Sequence, residues 1–196
     1  KTFVGQDGPQ TNSPNVSNTG FYIRKFISEA SGYTLRNYAE NWWPWFRLGE
    51  IYLNAAEAAF ELNDEPTALP YINRLRQRAG FPANSLTSLT IEKIQNERRV
   101  ELAFEDHRYF DMKRWRIADI TWNGNIDNDK AIVYGLYPYR IAVAKPGTQD
   151  QDKYIFVKTR SERFKVARTF QQSNYYSFIA DDVINNNPTI VKNPFQ

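Results

Sequence analysis

From Asn96 to Arg116 the chain reads N-E-R-R-V-E-L-A-F-E-D-H-R-Y-F-D-M-K-R-W-R, acidic and basic residues threaded through an apolar stripe at helical spacing. Glu97, Glu101 and Glu105 stand four apart on one helix face, while Val100, Leu102, Ala103 and Phe104 supply packing surface. That pattern predicts an ion-paired helix pressed against a core. Thr90 is placed to cap the helix, which is expected to run through Phe104. Asp106 then takes a tight turn, and a shorter helix follows from Arg108 to about Arg116.

Upstream of this stretch, two further helices are expected to form a hairpin. Pro44 suits a first-turn position, and Trp45, Leu48, Tyr52, Ala55, Ala56, Ala59 and Leu62 follow at helical spacing. A second helix is expected over 66–79, with Leu69, Ile72 and Leu75 inward, Arg74, Arg76 and Arg78 outward, and Gly80 and Pro82 as stop signals. Trp45-x2-Leu48-Gly49-x2-Tyr52 matches the opening of a tetratricopeptide repeat, and Ala68 falls where the second helix of such a repeat wants a small residue. One repeat cannot bury both of its faces, since about three or more are generally needed. The hairpin is therefore expected either to pack on helices from sequence outside this chain or to pack on an unrelated domain.

The flanks lack helical periodicity. Residues 1–20 are rich in Gly, Pro, Asn and Ser and read as a loop; Phe21 to Ile27 suits a short strand, with Ser31-Gly32 turning the chain toward Trp42-Trp43-Pro44-Trp45. Downstream, Ile132-Val-Tyr, Arg140-Ile-Ala-Val, Tyr154-Ile-Phe-Val and Arg168-Thr-Phe look like hairpin strands between loops, and 181–196 is expected to lie extended. The expected organisation is a leading loop and strand over 1–43, a helical region over 44–116, and a loop- and hairpin-rich region over 117–196. The fold class is thus mainly α with irregular loops and short β-hairpins.

Composition narrows the functional classes. Apolar residues at 41% and charged residues at 24% place the 196-residue chain among globular proteins rather than disordered ones. A net charge of +3, with Lys and Arg interleaved with acids, gives no basic face for nucleic acid. The absence of cysteine excludes disulfides and thiolate chemistry. No run approaches the ~18 apolar residues of a membrane span. Aromatic residues at 15% exceed what a small core needs, so some rings are expected to line a surface that grips something flat.

Each chemistry-bearing group has a structural alternative. The row Glu97, Glu101, Glu105 could offer the carboxylate pair of a glycosidase, but Arg98, Arg99 and Arg108 among them favour ion pairs. His107 is the sole histidine, reads as an exposed turn residue, and has no second His or Cys at metal-ligand spacing. Asn123, Asn125, Asp127 and Asp129 alternate like a calcium loop, yet Asn128 and Tyr134 stand where an EF-hand requires glycine and an acid. No phosphate-cradling glycine loop is present, and no cofactor is expected. That leaves the rings: Trp42 and Trp43 before the first helix, Trp122 in an Asn/Gly loop, and Tyr134, Tyr137 and Tyr139 around Gly135 and Pro138. Rings on loops present apolar faces to sugar C–H groups, with Asn and Arg nearby to bond hydroxyls. Trp45 and Trp115 are instead expected in the core.

The 96–116 segment closely resembles the E-R-R-x-E-L-x-F-E-G-x-R-x-x-D-L-x-R-W signature of SusD/RagB-type outer-membrane nutrient-binding lipoproteins, with Glu97, Arg98, Arg99, Glu101, Arg108, Asp111, Arg114 and Trp115 at the matching positions. Thr19-Gly-Phe-Tyr-Ile-Arg-Lys25, Phe46 to Ala58, Ile72 to Gly80 and Tyr175 to Pro194 resemble other blocks of the family in the right order. Asp106 replaces the family's Gly, and 178–182 lack its P-I-P. The resemblance implies a SusD-like fold of which this chain is the C-terminal part. It further implies a non-enzymatic, cell-surface protein of the outer membrane, anchored by an N-terminal lipid outside this chain. Such a protein binds an oligosaccharide or other oligomer and passes it to a SusC-like TonB-dependent transporter. A peptide-binding repeat scaffold, or a peptide-uptake member of the family, is the alternative.

Overall fold

The computed structural model describes residues 17, 19–28, 41–123, 132–142, 146–160 and 167–195. They contain six α-helices, a short 3-10 helix at Gln172–Tyr175 and one two-stranded antiparallel sheet, so the chain is mainly helical as expected. It divides into two compact units, Lys25–Asp111 and Lys1–Arg24 with Met112–Gln196.

In the unit Lys25–Asp111, helices α1 (Leu48–Glu61) and α2 (Glu65–Arg78) form the expected hairpin. Asn63 adopts the left-handed conformation (φ 59°), and the N–H groups of Asn63 and Asp64 reach back to Phe60 O and Ala59 O, both at 2.9 Å. These bonds satisfy carbonyls that the end of α1 would otherwise strand. Asp64 then caps α2 by accepting from the Thr67 N–H at 3.1 Å. Gly80 (φ 97°) closes α2 in the same way, with Phe81 N–H on Arg76 O at 3.0 Å.

The core of this unit joins Leu53 and Ala56 of α1, Ala68, Ile72 and Leu75 of α2, and Leu89, Ile94 and Leu102. Each such leucine or isoleucine contributes about 1.5–3 kcal/mol by leaving water. Ala68 is fully buried, as its place in the repeat pattern predicts.

The start and the facing of α1 depart from expectation. Arg47 is extended (φ −147°) and the helix begins only at Leu48, which leaves Trp45 outside it and 81% exposed instead of in the core. The buried face runs through Gly49, Leu53, Ala56 and Glu57, while Leu48 and Leu62 are exposed. An apolar residue occurs on every side of α1, so periodicity alone did not single out the packed face.

Helix α3 (Ile91–Glu101) starts at the Thr90 cap, whose Oγ1 accepts from the Lys93 N–H at 3.3 Å, but stops three residues before Phe104. Phe104 (φ 64°) and Asp106 (φ 61°) are left-handed, the latter as its place in the signature predicts. The shortened end is stabilised from outside: Lys25 Nζ donates to the carbonyls of Glu101 (3.2 Å) and Ala103 (2.9 Å), and Arg47 Nη2 donates to Glu101 O at 2.6 Å. Helix α4 (His107–Arg114) follows at once.

In the other unit, β1 (Tyr134–Arg140) pairs with β2 (Tyr154–Arg160), in a register that sets Tyr137 opposite Val157 and Tyr139 opposite Ile155. The Tyr154-Ile-Phe-Val run is a strand, as read from the sequence. The β1 strand, however, occupies the stretch around Gly135 and Pro138 read as loop. Leu136 donates its N–H away from β2, to Thr19 O at 3.0 Å, so the even positions of β1 face outward and Pro138 leaves no ladder bond missing. A Cβ at Gly135 would stand 2.9 Å from Thr19 Cα, so glycine is what lets residue 19 lie against the strand.

Three smaller expectations are corrected. Residues 21–28 form no strand; Phe26 turns the backbone with φ 63°. Helix α5 (Ala118–Thr121) was not read from the sequence. The tail holds helix α6 (Asp181–Asn186) instead of an extended run, with Asp181 and Asp182 in a first turn whose exposed N–H groups favour negative charge.

Candidate functional site

The acidic row is neutralised by cations brought from elsewhere in the fold. Glu97 pairs with Arg76 at 2.9 Å, and Glu101 pairs with Arg47 at 2.5 Å and Arg78 at 2.6 Å. Glu105, which lies beyond the end of α3 instead of on its face, pairs with Arg47 at 2.6 Å and with Lys25. Burial pushes the Glu105 carboxyl up, but the hydrogen bonds and charges of Arg47 and Lys25 outweigh it and hold the group below the usual carboxylate range. A general acid needs the opposite shift.

The arginines inside the signature do different work from that expected. Arg98 bonds Asp111 at 2.7 Å and Asn54 Oδ1 at 2.6 Å, and Arg99 bonds Asn96 Oδ1 at 2.7 Å. Arg108 is half-buried, and burial with the nearby Arg99 charge lowers its pKa. Arg114 stacks over Trp115 at 4.6 Å, and Trp115 is half-buried rather than core. His107 opens α4 half-buried, 3.7 Å from Glu50, and is not an exposed turn residue.

The candidate rings have distinct settings. Trp42 is 91% exposed, whereas Trp43 lies against Phe26 with ring centroids 4.9 Å apart. Asn41 Nδ2 donates to Phe26 O at 2.7 Å, which ties the tryptophan segment to the turn at Phe26. In the unit Lys1–Arg24 with Met112–Gln196, Trp122 is half-buried at 6.0 Å from Phe170, with the Arg168 guanidinium 5.8 Å from its ring. Phe170 meets Tyr175 edge-on at 4.9 Å. Tyr175 OH donates to Asp119 Oδ1 at 2.6 Å, and Arg116 lies 4.6 Å over the Tyr175 ring. Trp122 is therefore one end of a ring cluster.

Tyr134, Tyr137 and Tyr139 sit on a strand, and alternation places Tyr137 and Tyr139 on one face and Tyr134 on the other. Lys158 Nζ lies 4.0 Å over the Tyr134 ring. The fold does not gather these three into one platform. Asn125, Asp127 and Asp129 lie outside the described residues, and among the described residues no cluster of acidic and histidine side chains is arranged to hold a metal.

Sequence reading missed a groove of about 300 Å³ on the helical hairpin, walled by Tyr52 and Tyr71 and by the loop at Ala83 and Asn84. From the sequence Tyr52 is a member of the apolar stripe of α1 and of the repeat pattern, with no groove attached to it. Tyr71 and Arg74, three apart on the outer side of α2, were the available signal.

Comparison with known proteins agrees with this architecture. The model of the SusD family matches residues 1–195. A SusD-like protein of Formosa agariphila is 43% identical over 79 residues, which are 37% of this chain and 15% of that protein. A second SusD-like protein of the same organism is 34% identical over 117 residues, 53% of this chain and 23% of that protein. The crystal structure of a SusD-like protein from Bacteroides fragilis NCTC 9343 superposes with a TM-score of 0.60 at 27% identity, covering 94% of this chain and 32% of that one. The chain thus spans a third or less of the length of each of these relatives.

Proposed function

The chain belongs to the SusD family, and from that premise we propose that it is part of a cell-surface lipoprotein that binds a glycan without cleaving it and delivers it to a SusC-like TonB-dependent outer-membrane transporter. Trp42 carries the proposal. An indole 91% exposed forgoes the burial that would ordinarily stabilise it, and its neighbour Trp43 is braced on Phe26. A flat apolar face presented beside a braced neighbour suits the C–H face of a sugar ring. Trp122, Tyr137 and Tyr139 are secondary candidates: the first is half-buried in its ring cluster, and the other two share one face of β1. Tyr134, on the opposite face beneath Lys158, is the weakest of the set.

Affinity gel electrophoresis of the intact protein in embedded polysaccharides tests this reading. Retardation that disappears on Trp42→Ala or Trp43→Ala supports it. Peptide binding with no response to any sugar would replace it with peptide uptake, and oligosaccharide turnover abolished by Glu101→Gln would make the protein a hydrolase.

A further inference from the structure

The groove on the α1–α2 hairpin contains none of the candidate rings above and has a different chemistry. Its floor is the outer side of α2, where Arg74 and Gln77 are exposed; one wall is Tyr52 and Tyr71, with ring centroids 5.8 Å apart and tilted by 33°. The opposite wall is pinned. Buried Asn73 donates to Leu86 O and accepts from Leu86 N–H, both at 2.9 Å, and Arg76 Nε donates to Ser85 Oγ at 2.9 Å. Arg76 also lies 4.1 Å over the Phe81 ring, so the 81–86 loop is held to α2 at several points, and Asn84 is fixed in the left-handed conformation at the rim. The groove is thus a preformed, open concavity whose volume of about 300 Å³ is at the lower end of the range for small-ligand sites.

Arg74 distinguishes it. On the same helix Arg76 is paired with Glu97 and Arg78 with Glu101, whereas Arg74 has no carboxylate partner among the described residues and only lies 5.7 Å over the Tyr52 ring. An accessible guanidinium above a tyrosine face, with the Gln77 and Asn84 amides close by, offers forked donors to an anion, hydrogen bonds to hydroxyls and an apolar plane for a ring. We propose that this groove is a second, anion-selective saccharide subsite that takes a sugar unit bearing a carboxylate or a sulfate ester, with Arg74 on the anionic group and Tyr52 or Tyr71 under the ring. The choice of a saccharide rests on the sugar-binding reading above; the choice of an anionic one rests on Arg74 alone.

Isothermal titration of the intact protein with an oligogalacturonate, a sulfated carrageenan oligomer and neutral maltoheptaose tests it, with circular dichroism confirming that each variant is folded. Binding of one or both anionic oligomers is expected, weakening with added salt. Arg74→Ala should raise the Kd by about tenfold or more, and Arg74→Lys, which keeps the charge but loses the fork, by less. Maltoheptaose affinity should not move in either variant. The two anionic arms tell a carboxylate from a sulfate ester. Anionic affinity unchanged in Arg74→Ala, no anionic binding at millimolar concentration, or a groove occupied in the intact protein by a peptide carboxylate would overturn the proposal. Neutral glycan retention that survives such a failure leaves the tryptophan-based reading standing; no retention of any sugar removes both.

Discussion

Arg98 Nε donates to Asp111 Oδ2 across 2.7 Å, and both side chains are almost wholly buried. The guanidinium reaches Asn54 of α1 from its Nη1, so one arginine of α3 joins α1 to the middle of α4. Two charges can be kept out of water only while each compensates the other. Arg98→Ala or Asp111→Ala removes the counter-charge at 2.7 Å from a buried ion and is expected to cost about 3–5 kcal/mol in urea unfolding. An Arg98→Met, Asp111→Leu double variant should lose less than either single change.

Glu105 makes stability depend on acid. Its folded pKa is depressed by Arg47 and Lys25, so its contribution is present above the unfolded carboxylate value of about 4.3 and is lost as pH falls through the lower folded value. Thermal unfolding from pH 6 downward should show a decline in Tm below about pH 4.3 that is shallower in Glu105→Gln. A parallel decline in both proteins would remove Glu105 as its source.

Trp42 and Trp43 separate binding from folding. Trp42→Ala removes an exposed ring and should change stability by no more than about 0.5 kcal/mol while abolishing glycan retention. Trp43→Ala loses the contact with Phe26 as well and should cost a further ~0.5–1.5 kcal/mol. Unfolding curves set beside gel retardation of the same variants check both.

Tyr175 reports on the ring cluster. Burial and the hydrogen bond to Asp119 push its phenol above the usual value near 10, with the Asp119 backbone N–H opposing. The group's contribution is full below that ordinary value and is lost as pH rises through the raised one. Ultraviolet titration of the intact protein should show one late-ionising tyrosine that disappears in Tyr175→Phe and shifts to lower pH in Asp119→Asn. If the late step persists in Tyr175→Phe, another tyrosine accounts for it.

What the sequence determined by itself is what near neighbours decide. The Thr90 cap, the Gly80 stop and the left-handed turn at Asp106 follow from backbone conformation within a few residues, the small residue at Ala68 follows from the fixed length of a repeat hairpin, and all are present. Tertiary structure decided which groups meet. Arg47 lies 58 residues from Glu105 and Lys25 lies 80 residues from it, so the counter-ions of the acidic row could not be read from the row itself. The apolar residues around α1 left its packed face to be chosen by α2, and strand pairing split Tyr134 from Tyr137 and Tyr139. The Tyr52–Arg74 groove forms where two helices and a pinned loop converge; the sequence offers Tyr71 and Arg74 three apart on α2, and the tertiary structure brings Tyr52 and the 83–84 loop to them.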